Sequence, residues 1–402
     1  MSHATELPRP DHIPAELVRH FDFTAGHVLD DPYQAFDRLR DDGDIVWSPM
    51  LGQHWIVLSA DLVREAFQTP DVFSSYPTGV PAMTEFWPRK LIPQELDGAA
   101  HVRYRRLLSP FFSPSAVRPM ADAVTRRATA LIEAIAEEDE IEFIRSVALP
   151  LPSSVFLDLF GLPLERADMF TTWTDQLLHS GDPQVSAEVG RMVIQYLIGL
   201  IAEKRANPED DLISALTTAV VEDSSLTDDE ILDIAFLFFI AGLDTVTSQL
   251  GVMFYHLSRD IELQQRLRAS PELVPAAVEE MLRAYPIVPP ARTLTRDHVL
   301  GGVHMKAGDT VLLATSAASR DPRLCENPQQ VDVDRPAVAN PAFGLGPHRC
   351  IGSHLARQEL SIALQLMLEM MPEFRLAAGC QPKWHTAGNV WGIDQLRLAF
   401  GR

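Results

Sequence analysis

The sequence predicts a mainly α fold with a smaller β-rich lobe, and three observations carry that reading. Helical apolar spacing dominates from Ala100 to about Asn207, from Thr227 to about Ser258 and from about Ile351 to Met370. Strand-like runs bounded by turn residues collect towards the ends of the chain, mainly at 44–60, 292–316 and 380–402. Strands and helices do not alternate, and helices do not stand alone, which excludes both a doubly wound sheet and a simple bundle.

The elements follow in order. Ile45-Val46-Trp47, a turn at Pro49 to Gly52, and Trp55-Ile56-Val57-Leu58 read as a hairpin, with a short helix at 61–68. The Pro-rich stretch from Tyr76 to Pro93 is long enough to be a functional loop. The helical stretch after Ala100 is expected to break at 110–114, 149–152, 161–163 and 181–183. Thr227-Asp228-Asp229-Glu230 has the form of a capping box and opens a long helix. Another helix is expected over 272–285, short strands over 292–316, and a last helix from 351 to 370.

Composition narrows the partners and the setting. The chain has 402 residues, with 34 basic and 55 acidic side chains and a net charge of -21. Such a surface repels nucleic acid. Three cysteines cannot build a disulfide framework, the first ten residues lack a signal-peptide core, and the longest apolar run, Ile234 to Leu243, is half of the about 20 residues a membrane span needs. A cytoplasmic, non-inserted, monomeric protein is the expectation.

The most informative segment is Phe343-Gly344-Leu345-Gly346-Pro347-His348-Arg349-Cys350-Ile351-Gly352. It places one thiol just before a helix, where unpaired N–H groups and the helix dipole favour a thiolate. The glycines allow a tight turn, and Gly352 lets a flat ligand approach. With no second cysteine nearby, zinc and iron–sulfur chemistry is a poor fit and a single axial bond to haem iron a good one. Cys325 and Cys380 read as ordinary buried cysteines. Inside the long helix, Ala241-Gly242-Leu243-Asp244-Thr245 interrupts an apolar run with a glycine, an acid and a hydroxyl.

With these two motifs in order, the chain resembles the cytochrome P450 haem-thiolate monooxygenases, in particular the soluble bacterial enzymes. The resemblance implies a triangular-prism fold holding haem b between a long kinked distal helix and the proximal cysteine helix. It implies Cys350 as the axial ligand, Phe343 beside the proximal haem face, and Ala241 and Gly352 against the haem. It makes Asp244 and Thr245 the acid–alcohol pair that delivers protons to dioxygen, with Val246 where many members have a second threonine. Glu280 and Arg283 match the structural E-x-x-R pair, while Pro328-Gln329-Gln330-Val331 lacks the arginine that usually joins it, leaving Arg335 as a candidate. His101, Arg105, Arg292 and His348 match positions that hold haem propionates.

Arg103, Arg106 and Arg349 would form a basic proximal face for an acidic iron–sulfur ferredoxin, fed by its reductase. Phe86, Trp87, Leu237, Ile240, Val288 and Val390 are candidate pocket residues for a hydrophobic substrate, and Arg89 is expected to face solvent. Gly242-Leu243-Asp244-Thr245-Val246 and Gln53-His54-Trp55-Ile56 are most similar to the camphor-hydroxylase branch, which favours a terpenoid, with steroid, polyketide and fatty-acyl substrates open. The alternatives are a peroxide-dependent peroxygenase or haem isomerase, a non-turnover haem sensor or carrier, and a cysteine hydrolase using Cys350. By length the chain would hold two or three domains. Convergence of residues from 101 to 350 on one haem instead implies a single domain over 1–402.

Overall fold

A computed structural model describes residues 9–82, 87–387 and 389–401. Its centre is the helix Asp228–Leu257, whose N-cap Thr227 accepts from the Glu230 N–H while the Glu230 side chain accepts from the Thr227 N–H. Most of its residues are buried, and the helices Pro150–Leu159, Ala167–His179, Pro183–Ala206 and Ser353–Met370 pack around it or its neighbours in one large apolar core. Both Pro183–Ala206 and Asp228–Leu257 are apolar and long enough to cross a membrane by composition. In the second, that apolar surface is buried against the rest of the core.

The β-rich part is a five-stranded sheet in the order Ile45–Ser48, His54–Val57, Thr310–Leu313, Ala291–Leu294, Phe73–Ser74. The Thr310–Leu313 strand runs parallel to His54–Val57, and the other pairs are antiparallel. Successive residues point to opposite faces, and both faces are covered: Trp47, Trp55, Val57 and Val311 enter one cluster, Val46, Ile56, Leu58 and Leu312 another. The unbroken apolar runs of the hairpin follow from that two-sided burial.

Three expectations are corrected. The break at 149–152 is instead a π-turn, Ile144–Ala148, running directly into Pro150–Leu159, because proline is harmless in a first helical turn. A strand, Glu140–Glu142, interrupts the stretch expected to be helical; it pairs with Arg397–Phe400 beside Phe374–Leu376, a partnership no local pattern reveals. The short strands end at Leu313, and Thr315–Ser319 is helical. A hairpin of Trp384–Ala387 and Val390–Ile393 packs against the long helix.

Candidate functional site

The cysteine loop is built by backbone geometry. Gly344 and Gly346 sit at φ +68° and +69°, the left-handed region, and a Cβ on Gly346 would lie 2.5 Å from the Phe67 carbonyl oxygen. The Cys350 N–H donates to the Phe343 carbonyl (2.8 Å), closing the loop just before the helix Ser353–Met370. Cys350 is exposed, and desolvation by the atoms around it pushes the thiol above its ordinary pKa. The Gly352 N–H and the guanidiniums of Arg105, Arg349 and Arg357 oppose that push. A Cβ on Gly352 would meet nothing nearer than Cys350 Sγ at 4.0 Å. Phe343 is half-buried beneath the Arg357 guanidinium.

Around this loop sit cationic side chains with few protein anions. Arg292 is 5% exposed, yet its guanidinium bonds only the Ala291 carbonyl (2.7 Å) and stacks on Phe67. Burial lowers it to about 10, against the more distant charge of Asp97. Among the described residues it has no ion-pair partner, which is costly for a buried cation. His101 is buried, its ring 4.0 Å from that of His348; burial and its cationic neighbours hold it down at about 4. His348 lies 3.4 Å from Asp97. Burial would raise Asp97, but the bonds from His348, Ser74 and Ser75 outweigh it and draw it down to about 2. Arg105 donates to the Arg349 carbonyl (2.9 Å). An unpaired buried arginine, neighbouring histidines and a single thiol fit a flat dianionic group carrying its own metal, as haem b does.

On the long helix, Ala241 and Gly242 are exposed in the middle of an otherwise buried element. A Cβ on Gly242 would sit in ordinary contact with the Phe156 ring, at 3.7 Å. Thr245 Oγ1 donates to the Ala241 carbonyl (2.8 Å), a back-bond that loads the same turn. Asp244 is 2% exposed; Oδ1 lies 2.9 Å from His179 Nε2, and Oδ2 is buried without a partner. Thr247 ties the helix to the π-turn through the Ala148 carbonyl (3.1 Å).

The candidate pocket residues separate. Phe86 lies outside the described residues. Trp87 is buried in the main core, stacked on Phe236 with centroids 4.2 Å apart. Leu237 is buried, while Ile240, Val288 and Val390 are half-buried apolar groups at the margin of the core. Arg89, expected in solvent, instead forms ion pairs with Asp229 (2.7 Å) and Asp233 (2.8 Å) on the long helix and covers Trp87. Burial pushes Asp233 up to about 6 against the opposing charge of Arg89. Asn389, on the hairpin beside Val390, commits its amide to the Thr78 and Pro289 carbonyls and the Val80 N–H, tying three segments together.

The proximal support is ionic. Arg283 bonds both Glu280 oxygens (2.7 and 2.8 Å), and Arg335 donates to Glu280 (2.8 Å). Arg283 also donates to the Pro328 and Gln330 carbonyls, so backbone holds the place where the expected arginine is missing. Of the three basic-face residues, Arg106 and Arg349 are exposed. Arg103 is corrected: it is half-buried, 3.8 Å from Glu222 and against Tyr104.

Sequence reasoning missed His179 and His385. Neither belongs to a motif, and each meets the long helix only through the fold. Glu359 was also missed; it is 3% exposed within the helix that follows the cysteine loop, and burial pushes it up to about 8.

A family model described as Cytochrome P450 matches residues 168–379. The probable cytochrome P450 127A1 of Sinorhizobium fredii is 36% identical over 405 residues, covering 98% of this chain and 97% of the relative. The steroid C26-monooxygenase of Mycolicibacterium smegmatis is 32% identical over 351 residues, 84% of this chain and 85% of the relative. The crystal structure of cytochrome P450 CYP101C1 superposes with a TM-score of 0.91 at 31% identity, covering 98% of this chain and all of that one.

Proposed function

The chain belongs to the cytochrome P450 family, and from that premise we propose that it inserts one oxygen atom of O2 into a C–H bond of a small to medium hydrophobic substrate. It is a P450 monooxygenase, and haem with a cysteine thiolate ligand is the family's cofactor. Electrons would come from NAD(P)H through a ferredoxin reductase and an iron–sulfur ferredoxin docking against Arg106 and Arg349. A terpenoid is the favoured substrate class, supported by the resemblance of residues 242–246 and 53–56 to the camphor-hydroxylase branch and by the apolar Leu237, Ile240, Val288 and Val390. A steroid is the second reading, favoured by the steroid C26-monooxygenase relatives.

The observation that carries the proposal is Asp244 beside Thr245 at the one turn of the long helix that is exposed within the core. When bound, haem would supply the activation of O2, which is the oxidant. Cys350 would ligate its metal, Phe343 would pack beside it, Arg292 and Arg105 would neutralise its carboxylates, and His101 and His348 would donate hydrogen bonds to them. Gly352 and Ala241 would let it approach both helices. Thr245 donates its proton to the Ala241 carbonyl, so its lone pairs remain to accept a bond from a water at the exposed turn. Asp244 would pass protons inward to that water.

The experiment is Thr245→Ala, assayed with a ferredoxin system and a substrate chosen by spin-state titration. Product per NADH should fall roughly fivefold while NADH consumption changes little. Product per NADH equal to wild type would remove Thr245 from the reaction, and with it the monooxygenase account of this turn.

A further inference from the structure

Three segments converge on Asp244. His179 is the last residue of the helix Ala167–His179, and its Nε2 lies 2.9 Å from Asp244 Oδ1. His385, on the strand Trp384–Ala387, packs edge-on against His179 with ring centroids 4.4 Å apart at 89°. Its partner across the hairpin is Gly392, where a Cβ would lie 2.5 Å from His385 Nε2 and 2.7 Å from Ser248 Oγ. Only a glycine there lets the imidazole lean over the strand towards the long helix, one turn beyond Asp244. Asp394 Oδ1 stands 3.8 Å from His385 Nε2. The Nδ1 atoms of His179 and His385 and Oδ2 of Asp244 are buried without partners. Three unsatisfied polar atoms in one cluster are a cost that packing alone does not explain.

We propose that His179 is a positioning residue that holds Asp244 through Oδ1 and supplies the protons that Asp244 carries towards Thr245. The proton on Nε2 moves to the carboxylate, the neutral carboxyl leaves the imidazole, and Nε2 takes its next proton from water. No electron changes hands, and each delivered proton is replaced by one from solvent. Oδ2, unbonded while the pair is closed, is the atom the carboxyl presents inward.

The surrounding charges suit this role. Burial alone would lower His179, but the bond and charge of Asp244, with Asp175 on its own helix and Asp394 on the hairpin side, outweigh it and raise the ring above an ordinary histidine. His385 goes the other way: burial and the repulsion of His179 lower it, against the pull of Asp394, Asp244 and Asp175. A charged imidazole on Asp244, half-buried and still open to solvent, with a neutral one closing its side, is a loaded donor that can be recharged.

The inference rests on the proposed monooxygenase reading, and the experiment separates the two. His179→Gln keeps a donor for Asp244 but cannot carry a proton. In the haem-loaded variant, kcat should fall roughly tenfold with KM within about twofold, and the loss of turnover that wild type shows as pH rises through the His179 titration should be absent. Independently, imidazole-labelled NMR of the reduced, carbon-monoxide-bound holoenzyme should show His179 titrating at lower pH in Asp244→Asn than in wild type. An H179Q profile that superposes on wild type, or a His179 titration unmoved in D244N, would overturn the inference; the titration decides alone if H179Q does not hold haem. Failure of wild type to show a thiolate-ligated haem spectrum would overturn the monooxygenase reading instead.

Discussion

The proximal and distal sides of the candidate site are held by different means. The cysteine loop is local: two left-handed glycines, one backbone hydrogen bond and a helix start within ten residues place Cys350. The acid–alcohol turn is assembled at long range, with Asp244 set by a histidine 65 positions earlier and by a hairpin near the C-terminus. A metal ligand needs one rigid position, which backbone geometry supplies. A proton carrier must move, and a side chain held by another side chain can let go.

That contrast can be broken at each end. The largest effect is expected beneath the loop, where Glu280 compensates two buried guanidiniums. Glu280→Gln leaves Arg283 and Arg335 without a counter-charge and should cost about 3 kcal/mol or more, read as a lower denaturant midpoint for loss of the fold. An unchanged midpoint would mean that the backbone carbonyls suffice.

Next comes Gly346→Ala, which adds a Cβ against the Phe67 carbonyl in a left-handed conformation. A loss of about 2 kcal/mol and weakened haem retention should follow, with the Asp244 side undisturbed. Equal haem retention in variant and wild type would show that the loop tolerates a second path.

The smallest effect is electrostatic and depends on pH. His179 is raised above its unfolded value by Asp244, so the pair's stabilisation is complete below about pH 6.5 and is lost as pH rises through the higher folded value. The difference in thermal midpoint between wild type and Asp244→Asn should therefore be larger at low pH and shrink towards alkaline pH. A difference independent of pH would contradict a charged pair.

The same contrast decides what could be read before the fold. The Thr227–Glu230 capping box, the 45–58 hairpin and the glycine–cysteine loop are encoded within a few residues each, and all three form where the pattern places them. Arg335 was legible as a partner for Glu280 because it lies near the gap left by Gln330. The strand Glu140–Glu142, the double ion pair of Arg89, and the cluster of His179 with His385 were not legible. Each is fixed by a neighbour far along the chain, and a lone histidine or arginine carries no local signal of what it will meet.

The central claim is that Cys350 is a thiolate ligand to haem iron. Its most direct test is the absorption spectrum of the reduced, carbon-monoxide-bound protein, for wild type and Cys350→Ser prepared with haem. Wild type should give the red-shifted band of a thiolate-ligated haem, and the variant should lose it while keeping its helical content. A wild-type spectrum of imidazole-ligated haem, or the same thiolate band in the variant, would contradict the account.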